Sequence, residues 1–358
     1  MSTFTRSSTS TSTGSTSDGK NGTMNGTTDG TLNATTTEAN RRPRLSGMTW
    51  LVWRQHRAGF WAILAATALS VAWIVYQRGQ LVDFLDGYGY PGKSLDDTGG
   101  RFQQYNDAFS FVSIGLQAIP ILLGVFLGAP LLAGDLENGT AKLVAAQSMS
   151  RTRWLATKLA LAGLVVVVST GVLSAVFGWW WNPVKSDVTV TVMDWTSGAA
   201  FNTTGPVPVA LTLFSVFGGV AIGVVLRRTL TAMVVTFGFT VVLQLVWGYF
   251  LPSLGNVVAA TTNKGVDAYP SLPHGAYEID QSYVTGSGDL VGWSTCSGSQ
   301  TDAARQVCLD KADVVGWSVQ YLPMSQMNAM QWFGASILFA LTAGVVAFLF
   351  FWGRKRLV

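Results

Sequence analysis

A chain of 358 residues with 49% hydrophobic and only 12% charged residues is too apolar for an ordinary soluble enzyme. The mean hydropathy of +0.33 understates this, because the first forty residues are dominated by Ser, Thr, Gly and Asn. The net charge of +4 comes from Lys and Arg placed beside apolar segments, where membrane proteins anchor, and so gives no footing for nucleic-acid binding.

In chain order, residues 1–46 form a tail rich in Ser, Thr and Gly, whose first forty residues show no apolar periodicity and almost no net charge. Such a segment cannot bury enough surface to fold and is expected to be disordered. It lacks the basic stretch and apolar core of a signal peptide. Residues 47–358 are read as one membrane domain. Six stretches of it contain no Asp, Glu, Lys, Arg or His: Ala58–Gln77, Ala108–Gly134, Leu159–Val184, Trp195–Leu226, Thr229–Asn263 and Val314–Gly353. Each holds an apolar core near the ~20 residues that carry a helix across ~30 Å of hydrocarbon. Backbone inside lipid must satisfy its own hydrogen bonds, so these cores are read as helices. Helices buried in a soluble protein would show a polar face, which these lack. The expected spans are 58–76, 111–133, 159–180, 207–226, 230–250 and 332–352, and the fold class is an all-α membrane protein of six transmembrane helices.

After the first span, Gly87-Tyr-Gly-Tyr-Pro-Gly-Lys-Ser94 spells a phosphate-binding loop letter for letter. That pattern works only between a buried strand and a helix whose N–H groups cradle phosphate. Here Leu81–Asp86 before it is short and acid-bearing, so the match is assigned to chance. In the second span Pro120 and Pro130 are expected to kink or break the helix. Gly124 with Gly128, and Gly219 with Gly223, are small-xxx-small pairs. They allow close helix approach, either within one chain or between two copies.

The segment between the second and third spans carries most information. Asp135 and Glu137 leave the membrane end, and Gly139 permits a sharp turn. Thr140 can cap a short helix to about Gln147, with Leu143 and Val144 as its apolar face. Ser150 can cap the next helix, with Arg151, Arg153 and Lys158 expected at the membrane surface and Trp154 as an interfacial anchor. On residues alone this is either a solvated connector or a docking element.

The loop over residues 252–328 is long for a connector, so it is expected to have its own structure. Thr301–Lys311 reads as a helix with Ala304, Val307, Cys308 and Lys311 near one face. Cys296 and Cys308, the only cysteines, share this loop and are expected to form a disulfide on the oxidising side of the membrane.

With the N-terminus in the cytoplasm, the inner segments hold fourteen Lys and Arg, and the longer outer loops seven. The excess lies beside span ends, as at Arg227-Arg228, so both termini are expected to be cytoplasmic. The expected spans contain no ionisable residue, which argues against ion-coupled pumping and chemistry within the bilayer. Energy for uphill movement must then come from another subunit.

The segment Asp135, Glu137, Gly139, Thr140, then Ser150, Arg151, Arg153, Trp154, Leu155 and Lys158 resembles the inner loop of permease subunits in the second exporter class of ATP-binding-cassette transporters, notably the actinobacterial ones. Trp53-Arg-Gln-His-Arg57, Leu226-Arg-Arg-Thr-Leu-Thr-Ala232, and Tyr321-Leu-Pro with Gln331-Trp332 are similar to further segments of that family. Gly134-Asp135 departs from the Arg-Glu more usual there. The resemblance implies a permease that binds no ATP, with ATP and Mg held by a separate ATPase subunit. It implies docking of that ATPase on the inner face, through the apolar face of Leu143 and Val144 and the flanking Asp135, Glu137, Gly139, Thr140, Arg151, Arg153 and Lys158. Pairing as a homodimer or with a second permease is also implied, in a multi-pass arrangement in the cell membrane. A non-transporting membrane scaffold or sensor is the alternative. An intramembrane enzyme ranks below both, because the spans hold no catalytic pair.

Overall fold

The computed structural model describes residues 48–139, 150–185 and 194–356. The tail expected over 1–46 and the helix expected over 140–147, with Thr140, Leu143 and Val144, lie outside the described residues. The helices are α1 (Met48–Tyr88), α2 (Gln103–Leu123), α3 (Ala129–Glu137), α4 (Arg151–Trp181), the short α5 (Gly198–Phe201), α6 (Val207–Leu226), α7 (Thr229–Phe250), α8 (Asp302–Lys311) and α9 (Met327–Arg356). Among the described residues, six helical segments are long and apolar enough to cross a membrane: Thr49–Tyr88, Gln103–Glu137, Thr152–Trp181, Val207–Leu226, Thr229–Leu254 and Met324–Trp352. Each expected span lies within one of them.

The fourth span, α6, is the hub. In its apolar stretch 61% of residues are buried, against 11% for the first span and 17% for the fifth. Glycine explains the closeness of α6 to the second span. A Cβ on Gly219 would lie 2.7 Å from the carbonyl oxygen of Gly124, and one on Gly223 2.5 Å from that of Ala129; one on Gly128 would come closer still to the Val216 oxygen. The two small-xxx-small pairs therefore face each other inside one chain, and no side chain fits between them.

The second span does not break at its prolines. It runs from Gln103 to Glu137 with a π turn at Gly124–Gly128, between Pro120 and Pro130. A proline lacks the N–H for its i−4 carbonyl, and a widened turn is one way for a helix to absorb that loss. Large apolar side chains such as Leu69 (73% exposed), Phe111 (74%) and Leu230 (78%) project outward. Such a surface would aggregate in water and is stable against lipid.

The loop after α7 corrects the all-α expectation. It forms four strands, β1 (Val258–Thr261), β2 (Tyr277–Thr285), β3 (Leu290–Gly292) and β4 (Val314–Leu322), paired antiparallel in the order β1-β4-β2-β3. Val314–Leu322 is an uncharged run that reads as the approach to the last span. Its β-branched and aromatic residues instead pair as a strand. Tyr283 and Trp317 stand opposite each other in the register, with ring centroids 4.3 Å apart. Trp195, in the connection between the third and fourth spans, donates from Nε1 to the carbonyl of Gly275, two residues before β2, at 2.6 Å.

Thr301 caps α8, its Oγ1 accepting from the Ala304 N–H at 3.2 Å. The buried face of α8 differs from the expected one: Leu309 is 2% exposed, whereas Val307 is 67% exposed. Arg305 Nη2 donates to the Tyr283 hydroxyl at 2.8 Å. A disulfide joins Cys296 to Cys308, 12 residues on. Closing a loop of that size stabilises by about 3 kcal/mol through the loss of unfolded-state entropy. Reduction is therefore expected to speed tryptic cleavage at Arg305 about a hundredfold, tenfold for each ~1.4 kcal/mol, when cleavage follows the open fraction. Digestion of the reduced and oxidised chain, followed by mass spectrometry, measures this; equal rates would mean the bridge holds nothing in place.

Candidate functional site

At the end of the bundle away from the sheet, three helices converge on the last turn of α3. Asp135 lies there, 8% exposed. Its Oδ2 pairs with the ammonium of Lys158 on α4, and its Oδ1 accepts from Gln55 Nε2 of α1 at 2.9 Å. Lys158 is wholly buried. Its Nζ also donates to the Leu131 carbonyl at 3.3 Å and stands 4.9 Å from the centre of the Trp154 ring. An ion pair removed from water persists only when its remaining polar valences are met. Here a carbonyl, an amide and an aromatic face meet them.

Glu137 points the other way. Residues two apart on a helix diverge by about 200°, so Glu137 leaves the side of α3 that carries Asp135. Its Oε2 accepts from the backbone N–H of Thr229, the first residue of α7, at 2.8 Å. That N–H is one of the four a helix leaves unpaired, and the carboxylate also meets the positive end of the helix dipole. The acidic pair thus divides its work, with Asp135 holding α1 and α4 and Glu137 holding α7.

Gly139 ends this junction at φ +68°, in the left-handed region where glycine is unstrained. The turn between α6 and α7 is only Arg227 and Arg228, with Arg227 at φ +55° and its N–H bonded to the Gly223 carbonyl at 2.9 Å. Arg54, Arg57, Arg153, Arg227 and Arg228 are exposed around this end, forming a basic rim about a neutralised centre.

The structure corrects two placements. Lys158 is not at the membrane surface but inside the junction, and Trp154, expected as an interfacial anchor, is 6% exposed beneath it. Arg153 is exposed. Of the remaining expected contact residues, Thr140, Leu143, Val144 and the side chain of Arg151 lie outside the described residues. Gln55 and Thr229 had no assigned role from sequence. The sequence carried no signal for the junction, because a lysine two turns into α4 can equally extend its ammonium to the membrane surface. The phosphate-loop spelling at Gly87–Ser94 begins in the last turn of α1, a helix rather than a strand, so the context the motif needs is missing.

The model of the family described as "ABC-2 membrane transporter related" matches residues 64–251, more than half of the chain. The chain belongs to the ABC-2 membrane transporter related family. No curated protein and no solved structure matches the chain. The matched stretch runs from within the first span to the end of α7 and includes Asp135, Glu137, Lys158 and Thr229. As an ABC-2 permease, the chain is a multi-pass membrane protein of a transporter family whose membrane subunit is not itself the ATPase.

Proposed function

We propose that this permease is the membrane subunit of an ATP-driven exporter and docks a separate ATPase through residues 140–149, on the cytoplasmic side. The observation that carries the reading is the junction immediately before that segment. α3 is bound on one flank to α1 and α4 through Asp135, and on the other to α7 through Glu137. A push delivered at residue 139 or beyond is passed to three other helices rather than lost in a loose loop. Lys158 is then a positioning residue, acting through Asp135, while Arg153 and Arg151 belong to the contacting rim. ATP and Mg reside on the partner, and this chain hydrolyses nothing.

The bias of Lys and Arg toward this end supports a cytoplasmic setting for it and for both termini. The plasma membrane is the matching location, with two permease chains, identical or paired, framing the path. Apart from the paired Asp135 and Lys158 at this end, the apolar stretches of the spans hold no Asp, Glu, Lys, Arg or His, which supports energy from ATP on a partner rather than from a coupling ion.

The test exchanges Leu143 for Asp. If this side chain seats in an apolar pocket of the ATPase, a buried unpaired carboxylate costs several kcal/mol. Each ~1.4 kcal/mol is tenfold in affinity, so pull-down of the ATPase is expected to fail while the permease still inserts. Lys142→Ala, off the expected apolar face of Leu143 and Val144, is the control and should cost little. Full recovery of the ATPase with Leu143→Asp would withdraw the docking assignment.

A further inference from the structure

Beside the disulfide, between α8 and the segment that leads into it from β3, lies a cavity of about 520 Å³, within the ~300–1,000 Å³ of sites that take small ligands. It is lined by Trp293, Ser297, Ser299, Gln300, Thr301, Asp302 and Arg305. Its walls are pinned. Between β3 and α8 the chain passes through three successive turns, in which the N–H groups of Thr295, Ser297 and Ser299 donate to the carbonyls of Gly292, Ser294 and Cys296 at 2.9, 3.0 and 3.2 Å. The bridge from Cys296 to Cys308 ties this segment to α8, and the bond from Arg305 to the Tyr283 hydroxyl ties α8 to β2.

Trp293 is the unusual member. It is 55% exposed, and among the described residues its ring stacks on no other ring and its Nε1 donates to no acceptor. Trp317 of the same domain, by contrast, packs on Tyr283 and donates to the Val266 carbonyl at 2.7 Å. An indole offers a broad apolar face and a polar N–H, and on Trp293 both are unused within the chain. Around it, Asp302 and Arg305 lie one turn apart on α8 and form no ion pair among the described residues. A free anion would meet Arg305 beside Asp302, and a free cation the reverse, so neither sign of charge is favoured. The amide of Gln300 and the hydroxyls of Ser297, Ser299 and Thr301 add neutral donors and acceptors. A neutral ligand dense in hydroxyls satisfies this mixture, because each hydroxyl both donates and accepts. One that also carries an apolar face fits Trp293. A pyranose ring has both, with C–H bonds on its face and hydroxyls at its edge.

We propose that this cavity binds a neutral saccharide, with one pyranose ring stacked on Trp293 and its edge hydroxyls paired with Gln300, Asp302 and Arg305. The ring C–H bonds, weakly positive, meet the negative face of the indole. Asp302 accepts from the sugar hydroxyls and Arg305 donates to them, and bonds to such charged partners are the stronger kind. Only the side on which the sugar is met rests on the proposed orientation, which puts the sheet outside the cell.

The full permease chain tests this in phosphatidylcholine nanodiscs, free of sugar-based detergent and of any ATPase, so the outcome stands apart from the transport reading. Neutral trisaccharides of glucose, of mannose and of N-acetylglucosamine are titrated in turn and followed by saturation-transfer difference NMR. At least one is expected to bind, with transfer strongest to the C–H protons of one ring. Trp293→Ala should weaken that binding about tenfold by removing the stacking face, while Trp293→Phe, which keeps a ring, should lose much less. Both variants are expected to fold, because Trp293 is more exposed than buried, and an unchanged rate of tryptic cleavage at Arg305 checks this. Asp302→Asn should weaken binding as well, through the loss of a charged acceptor. Failure of all three sugars to bind would overturn the proposal, as would equal binding by Trp293→Ala. Displacement of the bound sugar by inorganic phosphate would also overturn it, making this an anion site on Arg305.

Discussion

Lys158→Met is expected to destabilise the folded permease by about 3–5 kcal/mol, the cost of leaving a buried charge without its partner. The ammonium is wholly buried and pairs with Asp135, which is itself only 8% exposed. Methionine keeps most of the length and apolar contact against Trp154, but strands the carboxylate with Gln55 as its remaining named donor. The double variant Lys158→Met with Asp135→Leu should recover most of the loss. An apolar pair of similar volume commonly matches or exceeds a buried ion pair, and Gln55, being exposed, can turn to solvent. Thermal unfolding in detergent, followed by tryptophan fluorescence, compares the three proteins. A loss below about 1 kcal/mol in the single variant would match an exposed pair rather than a buried one. On the proposed function, the double variant should also keep its fold while ATP hydrolysis by the partner no longer drives transport, because the link from α3 to α4 is gone.

Gly128→Ala is expected to be the second large lesion. The new Cβ would run into the backbone of Val216 on α6, with the Val216 carbonyl oxygen nearest and its Cα 3.0 Å away. Backbone cannot swing aside as a long side chain can, so the second and fourth spans must part. Overpacking of this kind costs about 1–3 kcal/mol, and more where the neighbour is rigid. Gly238→Ala on α7 is the control, since its Cβ meets nothing within 4 Å. It should stabilise slightly, by up to ~1 kcal/mol, through helix propensity alone. Equal stability of the two variants, by the same unfolding assay, would mean that the helices are not in backbone contact at Gly128.

The six spans were legible in the sequence because membrane insertion is a local property. Some twenty apolar residues in a row favour hydrocarbon whatever the rest of the chain does. The cap at Thr301 and the turn at Gly139 are equally local, one hydroxyl meeting an N–H three residues on and one glycine at positive φ. The resemblance of the inner loop to permeases of the second exporter class was carried by residues close together in the chain, and the family match agrees with it.

What only the tertiary structure decided were meetings between distant residues. Asp135 finds Lys158 after 23 positions, Gln55 lies 80 from Asp135, and Thr229 lies 92 from Glu137. Nothing in the local chemistry of Lys158 distinguishes a lysine that reaches water from one that turns inward. The choice rests on whether a carboxylate of another helix is within reach. The glycine pairs likewise read the same for a fold within one chain as for contact between copies, until α6 is seen against the second span. Val314–Leu322 is uncharged in either reading, and became a strand because β2 lay beside it to satisfy its backbone. Hydrophobic length is thus set residue by residue along the chain. Charge pairing, backbone contact and strand pairing require the partner to be in place.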